Sequence, residues 1–154
     1  MIADRGDGYS LDTSVARLDV PLVHYWLSTD AYWALGRPAE VVEKAIAGSV
    51  CFGVYDAAGT QVAFARVVTD DATFAWLCDV YVSRPVRGKG LGTWMVQVIR
   101  EYLMVDRAVP RLLLGTRDAH EVYARVGFES LARPERWMEI DHRSSASDRD
   151  VAHT

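Results

Sequence analysis

The chain has 154 residues, half of them hydrophobic and a quarter charged, with a formal net charge of −4 and a pI near 5.5. That describes one globular domain with length enough for a sizeable core, and it excludes a disordered polymer. It shows no basic stripe of the kind nucleic acid demands, and no apolar run long enough to span a bilayer.

Met1 to Gly8 carries Asp4, Arg5 and Asp7 and lacks the apolar stretch of a signal peptide. Tyr9 to Asp12 reads as a short first strand. Asp19 then suits an N-cap, with Pro21 just inside a helix whose apolar face is Leu22, Val23, Trp26 and Leu27. Ser28 to Pro38 is rich in turn residues and holds Tyr32, Trp33 and Arg37. A second helix fits Ala39 to Ala47, with Gly48 as its stop. The pattern then turns to strands. Val50 to Tyr55 and Gln61 to Val68 flank a short Asp56–Gly59 turn, as in a hairpin. Thr73 to Val82 is a third, long strand rich in aromatic and branched residues. A glycine cluster leads into a helix from Leu91 to Val105. Arg111 to Leu114 is a short strand and Ala119 to Val126 a helix stopped by Gly127. Phe128 to Leu131 and Trp137 to Ile140 read as two last strands. The residues from Asp141 to Thr154 are polar and read as a disordered tail.

Meander strands followed by β-α-β-α-β predict an α+β domain over residues 1–140: a mixed, mostly antiparallel sheet of six or seven strands flanked by four helices. Cys51 and Cys78 form no Cys-x-x-Cys pair and lie in apolar runs, so they read as reduced, buried thiols of a cytoplasmic protein. The four histidines show no metal-ligand spacing, and no metal is expected.

The most informative stretch runs from Ser83 to Thr93, between a strong strand and a strong helix. Gly88, Gly90 and Gly92 let backbone approach a ligand closely. The helix start offers unpaired N–H groups at the positive end of its dipole, and Arg87 and Lys89 add charge. Such a loop suits a pyrophosphate. Its spacing is not the Gly-x-x-x-x-Gly-Lys-Ser/Thr of a P-loop, nor a dinucleotide fingerprint on a first strand-helix turn. A plain strand-to-helix connection is the bland alternative.

Arg87, Gly90 and Gly92 meet a pattern that resembles the GNAT acyltransferase motif Arg/Gln-x-x-Gly-x-Gly/Ala. A second stretch, Leu114 to Phe128, resembles the GNAT segment ending in Tyr-x-x-x-Gly-Phe, with Tyr123, Gly127 and Phe128 in place. Asp118 is positioned to cap the helix there. The resemblance covers roughly Gln61 to Ile140 at motif level. It implies a GNAT-like fold and transfer of acetyl from acetyl-CoA to an amine, most simply that of a small molecule. Protein amines as acceptors, or a CoA-binding regulatory module without catalysis, remain open.

The resemblance also implies roles. Arg87, Gly88, Lys89, Gly90, Leu91, Gly92 and Thr93 would hold the CoA pyrophosphate. Val80, Tyr81 and Val82 would pair with the pantetheine arm, and the amide near Val80 would donate to the thioester oxygen as charge develops there. Tyr123 would act as general acid. A free alkyl ammonium, with a pKa near ~10, must lose a proton before attack. The glutamate that many relatives carry on this strand is replaced in the pair Cys78-Asp79, which leaves Asp79 as the candidate base or as an anchor for a cationic acceptor. Tyr32, Trp33 and Arg66 are the remaining acceptor-side candidates. Arg66 lies on a strand face with Val62, Phe64 and Val68 and needs a partner: Asp70, Asp79 or a carboxylate on the substrate. A homodimer through edge strands around Trp137 to Ile140 is a further expectation.

Overall fold

The computed structural model describes residues 2–143. Six strands form one sheet in strict chain order: β1 (Ala3–Asp4), β2 (Ser10–Asp12), β3 (Val50–Tyr55), β4 (Gln61–Thr69), β5 (Ala75–Val82) and β6 (Leu112–Leu113). Every neighbouring pair is antiparallel except β5 and β6. Four α-helices accompany the sheet: α1 (Val20–Thr29), α2 (Ala39–Ala47), α3 (Leu91–Glu101) and α4 (His120–Ala124).

Local chemistry sets the helix starts. The Asp19 carboxylate accepts the Leu22 N–H at 3.0 Å, and Pro21 occupies the first turn of α1. α2 buries Val42 and Ile46 and stops at Gly48. Strand alternation then divides the core in two. Ala63, Ala65 and Val67 of β4 pack with Leu91, Met95 and Ile99 of α3. Phe64, between them in sequence, packs with Trp26 and Leu27 of α1 and Ile46 of α2. In β3, a Cβ on Gly53 would lie 2.5 Å from the Tyr55 hydroxyl, so only glycine fits beneath that ring.

Several expectations are corrected. Neither Phe128–Leu131 nor Trp137–Ile140 forms a strand. The two-residue β6 offers almost no ladder for another strand, a 3₁₀ turn at Pro134–Arg136 interrupts the segment, and Met138 and Ile140 are exposed. α3 does not run regularly to Val105. After Glu101 the chain continues as a π-helical stretch, Tyr102–Asp106, which keeps Leu103 fully buried while Val105 faces solvent. Strand β1 is not legible in the sequence because two residues are too few to show an alternation. The polar tail is described only to Arg143, and the rest of it lies outside the described residues.

Candidate active site

The chain leaves β5 at Ser83, whose N–H bonds the Val62 carbonyl at 2.9 Å, and passes through a 3₁₀ turn at Arg84–Val86. Gly88 and Gly90 then adopt left-handed backbone, with φ of 78° and 73°. Gly90 immediately precedes α3, and no side chain caps that helix. The first-turn amides of Leu91, Gly92 and Thr93 therefore face out of the helix end without i−4 carbonyl partners. A Cβ on Gly88 would meet nothing within 4 Å, so the loop is open on that side. A Cβ on Gly92 would touch Val82 at 3.5 Å, so this glycine lets α3 lie close to β5.

The flanking cations brace the loop. Arg87 donates from Nε to the Val82 carbonyl at 2.8 Å and from Nη2 to Asp30 at 2.9 Å. Asp30, at the end of α1, also accepts from the Tyr81 hydroxyl at 2.8 Å and from Arg84. The Arg84 hydrogen bond, then those of Tyr81 and Arg87, hold its carboxyl well below the usual carboxylate range. On the other side, Arg5 donates to the Lys89 carbonyl at 2.6 Å, and the Lys89 ammonium lies 3.5 Å from the Tyr9 hydroxyl. Sequence reading missed Arg5 and Asp30, since nothing local marks either.

Strand β5 is irregular where the chemistry was expected. Phe64 pairs with Tyr81 and Arg66 with Cys78, so Asp79 and Val80 together face the single residue Ala65. Asp79 absorbs this bulge with a φ of 50°. The bulge resets the alternation: Leu77, Val80 and Val82 belong to the α3 side of the core, and Tyr81 to the α1 side. β6 pairs with β5 only at Ala75 and Trp76, so among the described residues no strand lies along the outer edge of the far half of β5, where the Val82 carbonyl takes the Arg87 side chain.

The bulge delivers Asp79 to the loop between α1 and α2. Its side chain is 3% exposed. Oδ1 accepts from the Trp33 indole at 2.9 Å, and Oδ2 accepts from Arg37 at 2.9 Å and Arg66 at 2.6 Å. Of the partners considered for Arg66, Asp79 is the one it meets. Asp70 instead accepts from the backbone of Ala72, Thr73 and Phe74 in its own turn. Cys78 sits beside Asp79, and burial pushes its thiol up, as it pushes that of Cys51 to about 11.

Tyr123 lies on α4, edge-on to Phe128 with ring centroids 5.8 Å apart. Gly127 ends the turn with a φ of 92°, as the motif requires. Asp118 does not cap this helix; the Thr116 hydroxyl accepts the Ala119 N–H at 3.1 Å. Asp118 instead lies 3.4 Å from the Tyr32 hydroxyl, and Arg117 stacks 3.8 Å over the Tyr32 ring. Burial pushes the Tyr123 phenol up to about 12, and the nearby Tyr32 and Asp118 add to the effect. Among the described residues no group hydrogen-bonds its hydroxyl. Tyr32 and Trp33 pack edge-to-face at 5.0 Å and join the Tyr123 side of the site to Asp79. Trp26 stacks on Tyr81 within the core, and His120 is exposed on α4.

The family model described as the acetyltransferase (GNAT) family matches residues 20–128. The chain belongs to the GNAT acetyltransferase family. Its match begins at α1 and ends one residue past Gly127, so it spans the loop, the bulge and Tyr123. A Gibberella zeae protein assigned as an acetyltransferase is 33% identical over 139 residues, which cover 79% of this chain and 78% of that protein. A GNAT-family protein of Xanthomonas campestris pv. campestris, known from its crystal structure, is 40% identical. It superposes with a TM-score of 0.78, covering 86% of this chain and 92% of its own. At 12% identity, glucosamine-6-phosphate N-acetyltransferase from Arabidopsis thaliana shares the GNAT fold with a TM-score of 0.61. Among the described residues of this GNAT domain, no helix is long and apolar enough to cross a membrane.

Proposed function

We propose that this GNAT protein transfers an acetyl group from acetyl-CoA to the primary amine of a small molecule, by direct attack in a ternary complex. The observation that carries this reading is the uncapped N-terminus of α3, set at the end of a strand whose outer edge β6 leaves free. The residues fit the co-substrate. Two left-handed glycines and three first-turn amides with no acceptor among the described residues suit a pyrophosphate, and the edge of β5 that β6 does not cover suits the amide-bearing pantetheine arm. When bound, acetyl-CoA supplies an activated acetyl thioester. The net exchange is one amine N–H and one thioester C–S bond for one amide C–N and one thiol S–H bond.

The chain's residues then divide the work. The amides of Gly88 to Thr93 bind the diphosphate, and Arg87 and Lys89 fix the loop that presents them. Val80, the second residue of the bulge, offers its amide as the oxyanion donor. Tyr123 keeps its proton on the phenolic oxygen through neutral and mildly alkaline pH, where a general acid needs it. Asp79 anchors the acceptor loop through Trp33 and Arg37 rather than serving as a free base.

Calorimetric titration with acetyl-CoA and CoA, beside a Gly90→Glu variant, tests this directly. Tight binding to the wild type that is lost in the variant is the expected result, followed by acetyl transfer to at least one member of an amine panel. CoA binding without transfer to any amine would favour a regulatory module. No binding to the folded protein would remove the acetyl-CoA assignment.

A further inference from the structure

The acceptor side of the site has a charge imbalance. Arg37 and Arg66 converge on one oxygen of one carboxylate, and among the described residues neither makes another ion pair. Two guanidinium charges thus share a single negative charge at a place where the arginine side chains are only 22% and 16% exposed. Uncompensated charge so little exposed is costly and calls for a counter-anion.

The hydrogen-bond inventory shows where such an anion fits. Arg37 spends only Nη1 on Asp79. Arg66 spends Nε on Asp79 and Nη1 on the Ser49 hydroxyl at 3.3 Å. The remaining N–H edges of both arginines meet no acceptor among the described residues. They are not enclosed either, since the buried unpartnered polar atoms of the described residues are Arg5 Nη1 and Tyr55 Oη. The Asp79 side chain itself is 3% exposed and its charge already faces two guanidinium groups, which disfavours a further ammonium beside it.

We propose that the acceptor is an amine carrying a carboxylate, and that the free guanidinium edges of Arg37 and Arg66 hold that carboxylate. This rests on the amine-acetylating reading above and names its substrate class. A planar, two-oxygen anion matches the guanidinium fork. Its single charge balances the single surplus, which a phosphate dianion would overshoot. The position is apt: the pair is anchored at the bulge residue of β5, and Trp33 and Tyr32 continue the same surface toward Tyr123.

The test is a set of matched acceptors: β-alanine against ethylamine and 2-aminoethylphosphonate, and L-phenylalanine against phenethylamine. At least one carboxylated amine should exceed its decarboxylated partner in kcat/KM by about 10- to 100-fold, the worth of one charge-assisted hydrogen-bond pair. Arg37→Gln also loosens the acceptor loop, so both partners should slow, but kcat/KM for the acid should fall at least about 10-fold further than that for its decarboxylated partner, with the KM for acetyl-CoA unmoved, and Arg37→Lys should restore part of the preference. Equal or better turnover of the decarboxylated amines, a preference for the phosphonate, or an equal loss on both partners in Arg37→Gln would overturn the proposal.

A second measurement needs no turnover. CoA-loaded protein should bind 3-phenylpropionate but not 3-phenylpropionamide in calorimetry, and Arg37→Gln should abolish that binding. If this holds while no amine is acetylated, the carboxylate site stands and the transfer reading fails. If neither compound binds and no carboxylated amine is preferred, the proposal falls.

Discussion

Two residues bear the chemistry in different ways. Tyr123 has a half-buried ring, a hydroxyl without a partner among the described residues and an elevated pKa, the combination that holds a proton in place until it is needed. Tyr123→Phe removes only that hydroxyl. Its kcat should drop about 10²-fold or more, with CoA affinity unchanged. Steady-state rates beside calorimetry check this, and an unaltered kcat would take Tyr123 out of the reaction. In the wild type, ionisation of Tyr123 should cause no loss of rate up to about pH 10, two units below its value of about 12. Asp79 answers two demands at once. Aspartate is among the few residues besides glycine that tolerate left-handed backbone, and the same side chain is the acceptor that Trp33, Arg37 and Arg66 share. The family resemblance singles out Asp79 as the carboxylate on the strand where many relatives carry a glutamate. Its three donors are not legible in the sequence, because Trp33 and Arg37 lie on a distant loop.

At the scale of elements, legibility followed periodicity and caps. α2 and β3 match their sequence-read bounds, and α1 and β4 are read by the Asp19 cap and by alternation. Where a segment needs a partner to become a strand, pattern alone misleads: Trp137–Ile140 has the alternation but no neighbouring ladder. The short α4 and its Thr116 bond depended on tertiary packing. The joint at Asp30 is likewise invisible in sequence, since it gathers the end of α1, Tyr81 of β5 and two arginines of the glycine turn. Its folded carboxyl lies below the ordinary value of 3.8, so its contribution is complete above that pH and is lost as pH falls. Asp12 behaves alike. Burial alone would raise it, but the Ser14 N–H, the positive N-terminal amine and Arg17 together outweigh that and hold it at about 2. The melting temperature should therefore decline as pH drops from about 4 toward 2. In Asp30→Asn the decline should be shallower; a parallel curve for the variant would show that the joint adds nothing to stability.

The whole molecule is a single sheet in which each strand lies beside its predecessor in the chain, so most of its long pairings close short loops. The exceptions are β2 against β3, which waits for α1 and α2 to be accommodated between them, and β5 against β6, which waits for α3. Loop-closure entropy and contact order then assign an order of events to the fold. The β3–β4 hairpin, closed by a tight turn at Gly59, belongs to the nucleus, and the N-terminal strands dock late. Val54 in β3 and Leu11 in β2 are both fully buried, and they are register partners. Truncating either to alanine should cost stability, yet the kinetic signatures should diverge. Val54→Ala should chiefly slow refolding and Leu11→Ala chiefly hasten unfolding, in stopped-flow chevrons recorded side by side.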